Sequence, residues 1–251
     1  MIQVKELMRG EIPPWVRRFV KRTGRGINSF AMIREGDRVL LSISGGKDSL
    51  ALALALALRK LWLPIDYELQ ALHIDWKEYP LPAEKMEELR KFFDVIKIPF
   101  LSKPATMFSE TFNGNFNCYL CSRNRRRILF EHARDLDIAT IAMGHHLDDI
   151  VETALINLCF RGDFSSMQPV QEFFEGKLHV VRPMCQVRES IIDRLAREID
   201  LPIAKAPCPF DSTNIRSKVK PIVKSLSHID RYTREHIYSA LAYNKEVQKK
   251  A

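Results

Sequence analysis

Short apolar runs alternate along this chain with longer segments whose apolar residues recur every three or four positions. Runs at 39–43, 69–74, 96–101, 138–143 and 178–181 read as five strands, each preceded by a stretch of helical period. Such alternation predicts an α/β fold, a parallel sheet with helices on both faces. One segment conflicts locally, since leucine and alanine alternate strictly over 50–58, nominally the period of a strand. A helix is nevertheless expected there. Leu and Ala are strong helix formers, no β-branched residue intervenes, and leucine at every second position leaves a cylinder apolar nearly all round, suited to burial. Residues 1–35, with Pro13-Pro14 and the basic Arg17, Arg18, Lys21, Arg22 and Arg25, are expected as a basic helical extension. Residues 221–251 are expected as a basic helical tail, which leaves 36–220 as the main domain; no internal repeat is visible.

Composition narrows the partners more than the fold. A chain of 251 residues can bury a full α/β core. Lys and Arg outnumber Asp and Glu by 39 to 31, and the net charge of +8 favours a polyanionic partner. The first residues lack an apolar leader core, and the longest apolar run, at 50–58, is too short for a bilayer; a cytoplasmic protein with no membrane partner is expected. Five cysteines are too few for a disulfide scaffold, so their spacing is read as chemistry or packing.

The most specific stretch is Ser44-Gly45-Gly46-Lys47-Asp48-Ser49, set between the first strand and the Leu/Ala helix. Two glycines let successive N–H groups converge on one anion, and the positive end of the helix dipole adds to the same field. Lys47 can neutralise phosphate oxygens and Asp48 can hold magnesium. The spacing fits neither the Walker loop nor the dinucleotide fingerprint. Immediately after the fourth strand comes Gly144-His145-His146-Leu147-Asp148-Asp149. Ligands bind at the carboxyl ends of parallel strands, so this loop shares an edge with the glycine loop. Asp149 is assigned to magnesium or the reacting centre, with Asp148 as a second candidate, against the alternative that the pair is a helix cap beside a solvated acid, and the backbone of His73 at the end of the second strand is a candidate for holding adenine.

A third constellation is Cys118-Tyr119-Leu120-Cys121, followed by Arg123, Arg125, Arg126 and Arg127. A Cys-x-x-Cys pair alone is compatible with zinc, redox chemistry, an iron–sulfur cluster or packed thiols. Cys208, on a proline-flanked loop, is a third candidate. Three cysteines are one ligand short for zinc unless a histidine joins, and suit a four-iron cluster with one open iron. Cys159 is expected as a core thiol and Cys185 stands as a weaker outsider. The arginine run is either a solvated face or a path for an RNA backbone past the cysteines.

The Ser44–Ser49 block resembles the PP-loop of N-type ATP pyrophosphatases, which split ATP into AMP and pyrophosphate to activate an oxygen. Taken with the lead-in at 30–39, Cys118-Tyr119-Leu120-Cys121-Ser122-Arg123, Gly144-His145-His146 with Asp148-Asp149, Arg182-Pro183, Ile191-Ile192-Asp193 and Cys208, the chain from about residue 28 to 243 resembles the tRNA 2-thiocytidine synthetase (TtcA) family, relatives of tRNA lysidine synthetase. That resemblance implies a Rossmann-like, adenine nucleotide alpha hydrolase-like sheet. It implies ATP and Mg2+, and a [4Fe–4S] cluster held by Cys118, Cys121 and Cys208 through three ligands, whose free iron carries sulfur. It further implies tRNA as substrate, attacked in the anticodon loop, and a sulfur donor such as desulfurase-derived sulfur or sulfide; a homodimer stays open. Phe210-Asp211 stands where family members often have a further cysteine, and 162–175 is unlike theirs. Lysidine synthetase needs no cysteine triad, thiouridine synthetases generally carry terminal zinc-binding pairs, and a thio-base desulfidase or an RNA-binding redox sensor would not need the ATP loop.

Overall fold

The computed structural model describes residues 1–63, 65–107, 118–204 and 215–241, with the backbone alone for Cys118. The strands are β1 (Arg38–Ile43), β2 (Glu68–Trp76), β3 (Phe100–Ala105), β4 (Thr140–Ala142), β5 (Val170–Phe173) and β6 (Leu178–Val181). The helices are α1 (Val4–Met8), α2 (Pro14–Ser29), α3 (Lys47–Lys60), α4 (Ala83–Val95), α5 (Cys118–Asp135), α6 (Leu147–Arg161), α7 (Glu189–Glu198), α8 (Ile215–Ile229) and α9 (Thr233–Ala240). The sheet runs β3-β2-β1-β4-β6-β5, parallel except for β5 against β6.

Strand alternation sorts the core into two layers. Val39, Leu41 and Ile43 pack with residues of α2, α3, α4, α6 and α7, whereas Leu40 faces Ile128, Leu129 and Ala133 of α5. Residues 50–58 are helical, and every one is buried, as an all-round apolar helix must be. The chain builds β1, β2 and β3 outward in one direction and then returns to place β4 on the other side of β1. The crevice between the carboxyl ends of β1 and β4 is therefore the switch point, where such sheets bind ligands.

Four local readings differ from the structure. The third strand lies later than 96–101, because Ile96 caps α4 and Lys97 takes φ +56; Ile96 and Ile98 are buried in the turn instead. β5 has no counterpart in the sequence reading: it is an antiparallel edge strand, joined to β6 by a turn with positive φ at Phe174, Glu175 and Gly176. The basic N-terminal stretch is helical but buries Val16, Phe19, Val20 and Ile27 in the main core. Pro221 lies inside α8, past its first turn, where a proline forgoes its own helical hydrogen bond, and the border at 220/221 therefore falls within a helix. Among the described residues no helix is long and apolar enough to cross a membrane.

Candidate active site

The glycine loop turns where β1 ends. Gly45 takes φ +82, and a Cβ there would stand 2.3 Å from the Ala204 carbonyl oxygen, so only glycine fits. The Ala204 N–H in turn donates to the Gly45 carbonyl at 2.9 Å, four residues before Cys208. Gly46 is different. It caps α3 at φ −75, ψ 161, a conformation open to any residue, and its Cβ would meet only Ser44 Oγ at 3.5 Å. The fold does not demand a glycine there, and its absence of a side chain leaves the α3 N-terminus open to an approaching anion. Gly46→Ala is accordingly expected to melt like the unaltered protein yet to bind ATP about tenfold or more weakly in calorimetry, roughly 1.4 kcal/mol. Unchanged affinity would place the phosphates elsewhere.

The loop after β4 closes on the same point. A Cβ at Gly144 would lie 2.9 Å from both Asp48 C and Ser49 N, so the two loops touch backbone to backbone. His146 caps α6 in a reciprocal pair with Asp149: the His146 N–H donates to Asp149 Oδ2 at 3.0 Å, and the Asp149 N–H to His146 Nδ1 at 3.4 Å. His146 Nε2 lies 3.4 Å from Asp149 Oδ2 and 3.7 Å from Asp48 Oδ1. A histidine thus separates the two carboxylates.

These carboxylates differ in environment. Asp48 Oδ1 is buried without a hydrogen-bond partner, and burial raises its carboxyl pKa against the opposing charges of His146 and Lys47. The nearest cation to that oxygen is the Lys47 ammonium at 3.3 Å, so a hard cation bound there would share it with Lys47. For Asp149 burial would also raise the pKa, but His146, His145 and Arg216 outweigh it and the group is held below the usual range. Arg216 Nη1 lies 3.1 Å from Asp149 Oδ1 and its Nη2 donates to Thr153 Oγ1 at 3.0 Å. Asp148 is a structural tie, taking the Glu189 N–H at 2.7 Å and a bond from Arg234. Among the described residues no three of His, Cys, Asp and Glu form a metal-binding group.

Lys47 points into a nest of acids. Its ammonium is 2.8 Å from Glu189 Oε1, 3.0 Å from Asp193 Oδ1 and 3.3 Å from Asp48 Oδ1. Burial would lower its pKa, but hydrogen bonding to Glu189 and the charge of Asp48 drive it upward. Burial likewise would raise Glu189, yet hydrogen bonds from Lys220 and Lys47 bring it down to about 2. His73 is buried on β2 and tied through Nδ1 to the Ile43 carbonyl at 3.0 Å, with burial lowering its pKa.

Between the two loops and α5 lies a cavity of about 740 Å3, a size suited to a nucleotide. Ser44, Asp48, Ser49, Gly144 and Asp149 face it from the sheet edge, and Cys121, Arg125 and Arg126 face it from α5. Cys118 begins α5 one turn before Cys121, and Cys208 lies outside the described residues. The arginine run is split: Arg125 and Arg126 line the cavity, while Arg123 and Arg127 open on the other flank of α5, Arg127 paired with Glu131 at 3.0 Å. Cys159 is exposed rather than in the core, because the buried stripe of α6 ends at Ala154 and its last turns project past the packed layer. Cys185 is the buried one, its thiol pushed up to about 11 by burial. Sequence reasoning missed Arg216, Glu189, Arg234 and Lys220 as neighbours of the site; all but Glu189 sit on the helices read as a tail or its approach.

Residues 19–221 match the family model of the PP-loop domain. The tRNA-cytidine(32) 2-sulfurtransferase of Polynucleobacter asymbioticus is 36% identical over 207 residues, 81% of this chain and 68% of that protein. That of Burkholderia lata is 32% identical over 231 residues, 90% of this chain and 69% of that protein. Among solved structures, the U34-tRNA thiolase NcsA from Methanococcus maripaludis, with its [4Fe-4S] cluster, superposes with a TM-score of 0.76 over 93% of this chain and 80% of that one, at 21% identity, a likeness of fold. The chain belongs to the PP-loop family, among the tRNA-cytidine(32) 2-sulfurtransferases.

Proposed function

We propose that this protein is an ATP-dependent tRNA sulfurtransferase that converts a cytidine of the anticodon loop to 2-thiocytidine. The observation that carries the reading is one cavity lined both by the ATP loop, through Ser44, Asp48 and Ser49, and by Cys121. A cytosine C2 carbonyl does not exchange its oxygen for sulfur unaided, because oxide is a very poor leaving group. In the first step the C2 oxygen attacks the α-phosphorus of ATP, and the bond to pyrophosphate breaks. In the second, sulfur at the oxidation level of sulfide attacks C2 and the C–O bond to AMP breaks, so no net oxidation is required.

The chain's residues divide these tasks. The N–H groups of Gly45 and Gly46, with the α3 terminus, cradle phosphates, and Lys47 exchanges carboxylate partners for phosphate oxygens. Asp48 and Asp149 are the residues to hold Mg2+, which when bound screens charge on the phosphates. Arg216 and His146 keep Asp149 ionised and fixed. Cys118, Cys121 and Cys208 are the residues to hold a [4Fe–4S] cluster, which when bound supplies an open iron for sulfur. The half-buried Cys121 fits that role from the cavity wall, and Ala204, bonded to Gly45, brings the chain to within four residues of Cys208, a reach of at most about 14 Å.

Nucleoside mass spectrometry of tRNA from a strain lacking the gene tests this. Complete loss of 2-thiocytidine, restored by the intact gene, is expected; its persistence would overturn the reading.

A further inference from the structure

A second concavity, of about 870 Å3, lies on the opposite flank of α5 under the turn between β5 and β6. Phe174 stands at its lip, 63% exposed and at φ +53. Its ring meets Phe130 edge-on at 5.9 Å, and Phe130 also meets Phe173 at 4.9 Å. A large aromatic ring held in water on a left-handed residue does little for the fold and offers a flat face to a ligand. The side chains of Arg123, Arg126 and Lys177 surround the groove with no ion-pair or hydrogen-bond partner among the described residues, whereas those of Arg127 and Arg134 are matched by Glu131 and Asp135. Exposed ring faces beside uncompensated positive charge are the chemistry that holds single-stranded nucleic acid.

Arg126 lines both this groove and the cavity that holds Cys121, so the two are joined across a single side chain of α5. We propose that the groove takes an unstacked RNA base neighbouring the target nucleotide, with the base on Phe174 and the backbone phosphates over Arg126 and Lys177. This rests on the sulfurtransferase reading and deepens it: the target turns into one cavity while a flanking base anchors in the other. An apolar protein segment would account for Phe130 and Phe174 but leave three cations unmatched.

The test uses the full chain and an anticodon stem-loop RNA with a fluorescent purine analogue beside the target cytidine. Affinity and fluorescence are measured at several salt concentrations. Phe174→Ala should weaken binding about 5- to 100-fold and remove the quenching caused by stacking, with an unchanged salt slope. Phe174→Tyr should restore both. Lys177→Gln should flatten the log–log salt slope by about 0.7. ATP affinity should be the same in all three, which reports an intact fold. If the unaltered protein binds the RNA and Phe174→Ala binds it equally well, the groove serves another partner and the proposal is overturned alone. If the unaltered protein does not bind the RNA at all, the sulfurtransferase reading falls with it.

Discussion

Asp48→Ala is expected to lower tRNA-dependent pyrophosphate release by on the order of 10²–10³-fold while leaving the visible absorption of the anaerobically purified protein unchanged. The expectation comes from its position. Asp48 is the first acid of α3, its Oδ1 is buried without a hydrogen bond, and its neighbours are Lys47 at 3.3 Å and His146 at 3.7 Å. Removing it takes away a carboxylate proposed to hold the metal and one of three acids around Lys47. Glu189 and Asp193 still hold the ammonium, so the fold should survive. Pyrophosphate release at the unaltered rate would mean that the metal, and with it the activation step, is organised elsewhere. Thiolated tRNA formed without ATP would remove adenylation altogether.

The glycine loop was legible because its chemistry is local. A strand, two glycines, a lysine and a helix start are contiguous, and Gly45 sets the turn through a backbone geometry that only its residue type allows. The Leu/Ala helix was legible for a related reason: propensity and all-round burial agree even though the period suggests a strand. What escaped detection depends on contacts distant in sequence. Arg216 reaches Asp149 across 67 positions and Arg234 reaches Asp148 across 86, and nothing in a basic helical segment says which cation will be drawn inward. The same limit explains the arginine run. Four arginines within five residues look like one patch, but a helix turns about 100° per residue, which sends Arg125 to the cavity and Arg127 to the far flank.

Edge structure was hidden for a different reason. β5 is short, half-buried and antiparallel, with turn chemistry in which Phe174 and Glu175 occupy positions usually left to glycine or asparagine. Its pattern gives neither a buried run nor a clean alternation. Cys159 shows the converse error, where helical context was taken for burial although the apolar stripe of α6 stops at Ala154.

Cys121→Ala should separate the two halves of the reaction. Cys121 faces the cavity from α5, one helical turn beyond Cys118, and is divided by that cavity from Asp48 and Asp149. If Cys118, Cys121 and Cys208 are the ligands, protein purified without oxygen should be brown with about four irons per chain, and each Cys→Ala change should bleach it. Cys159→Ala should not, because that thiol is exposed on the last turns of α6, outside the cavity. The bleached variants should retain ATP binding, since the cradle proposed for the phosphates lies on β1, α3 and the β4 loop, none of which carries a cysteine. They should form no 2-thiocytidine. Zinc in stoichiometric amount in place of iron, or an unchanged spectrum in Cys121→Ala, would sink the ligand assignment. Loss of ATP binding along with the colour would mean instead that cysteines and phosphate loop form one folding unit, and that activation and sulfur delivery cannot be separated by substitution.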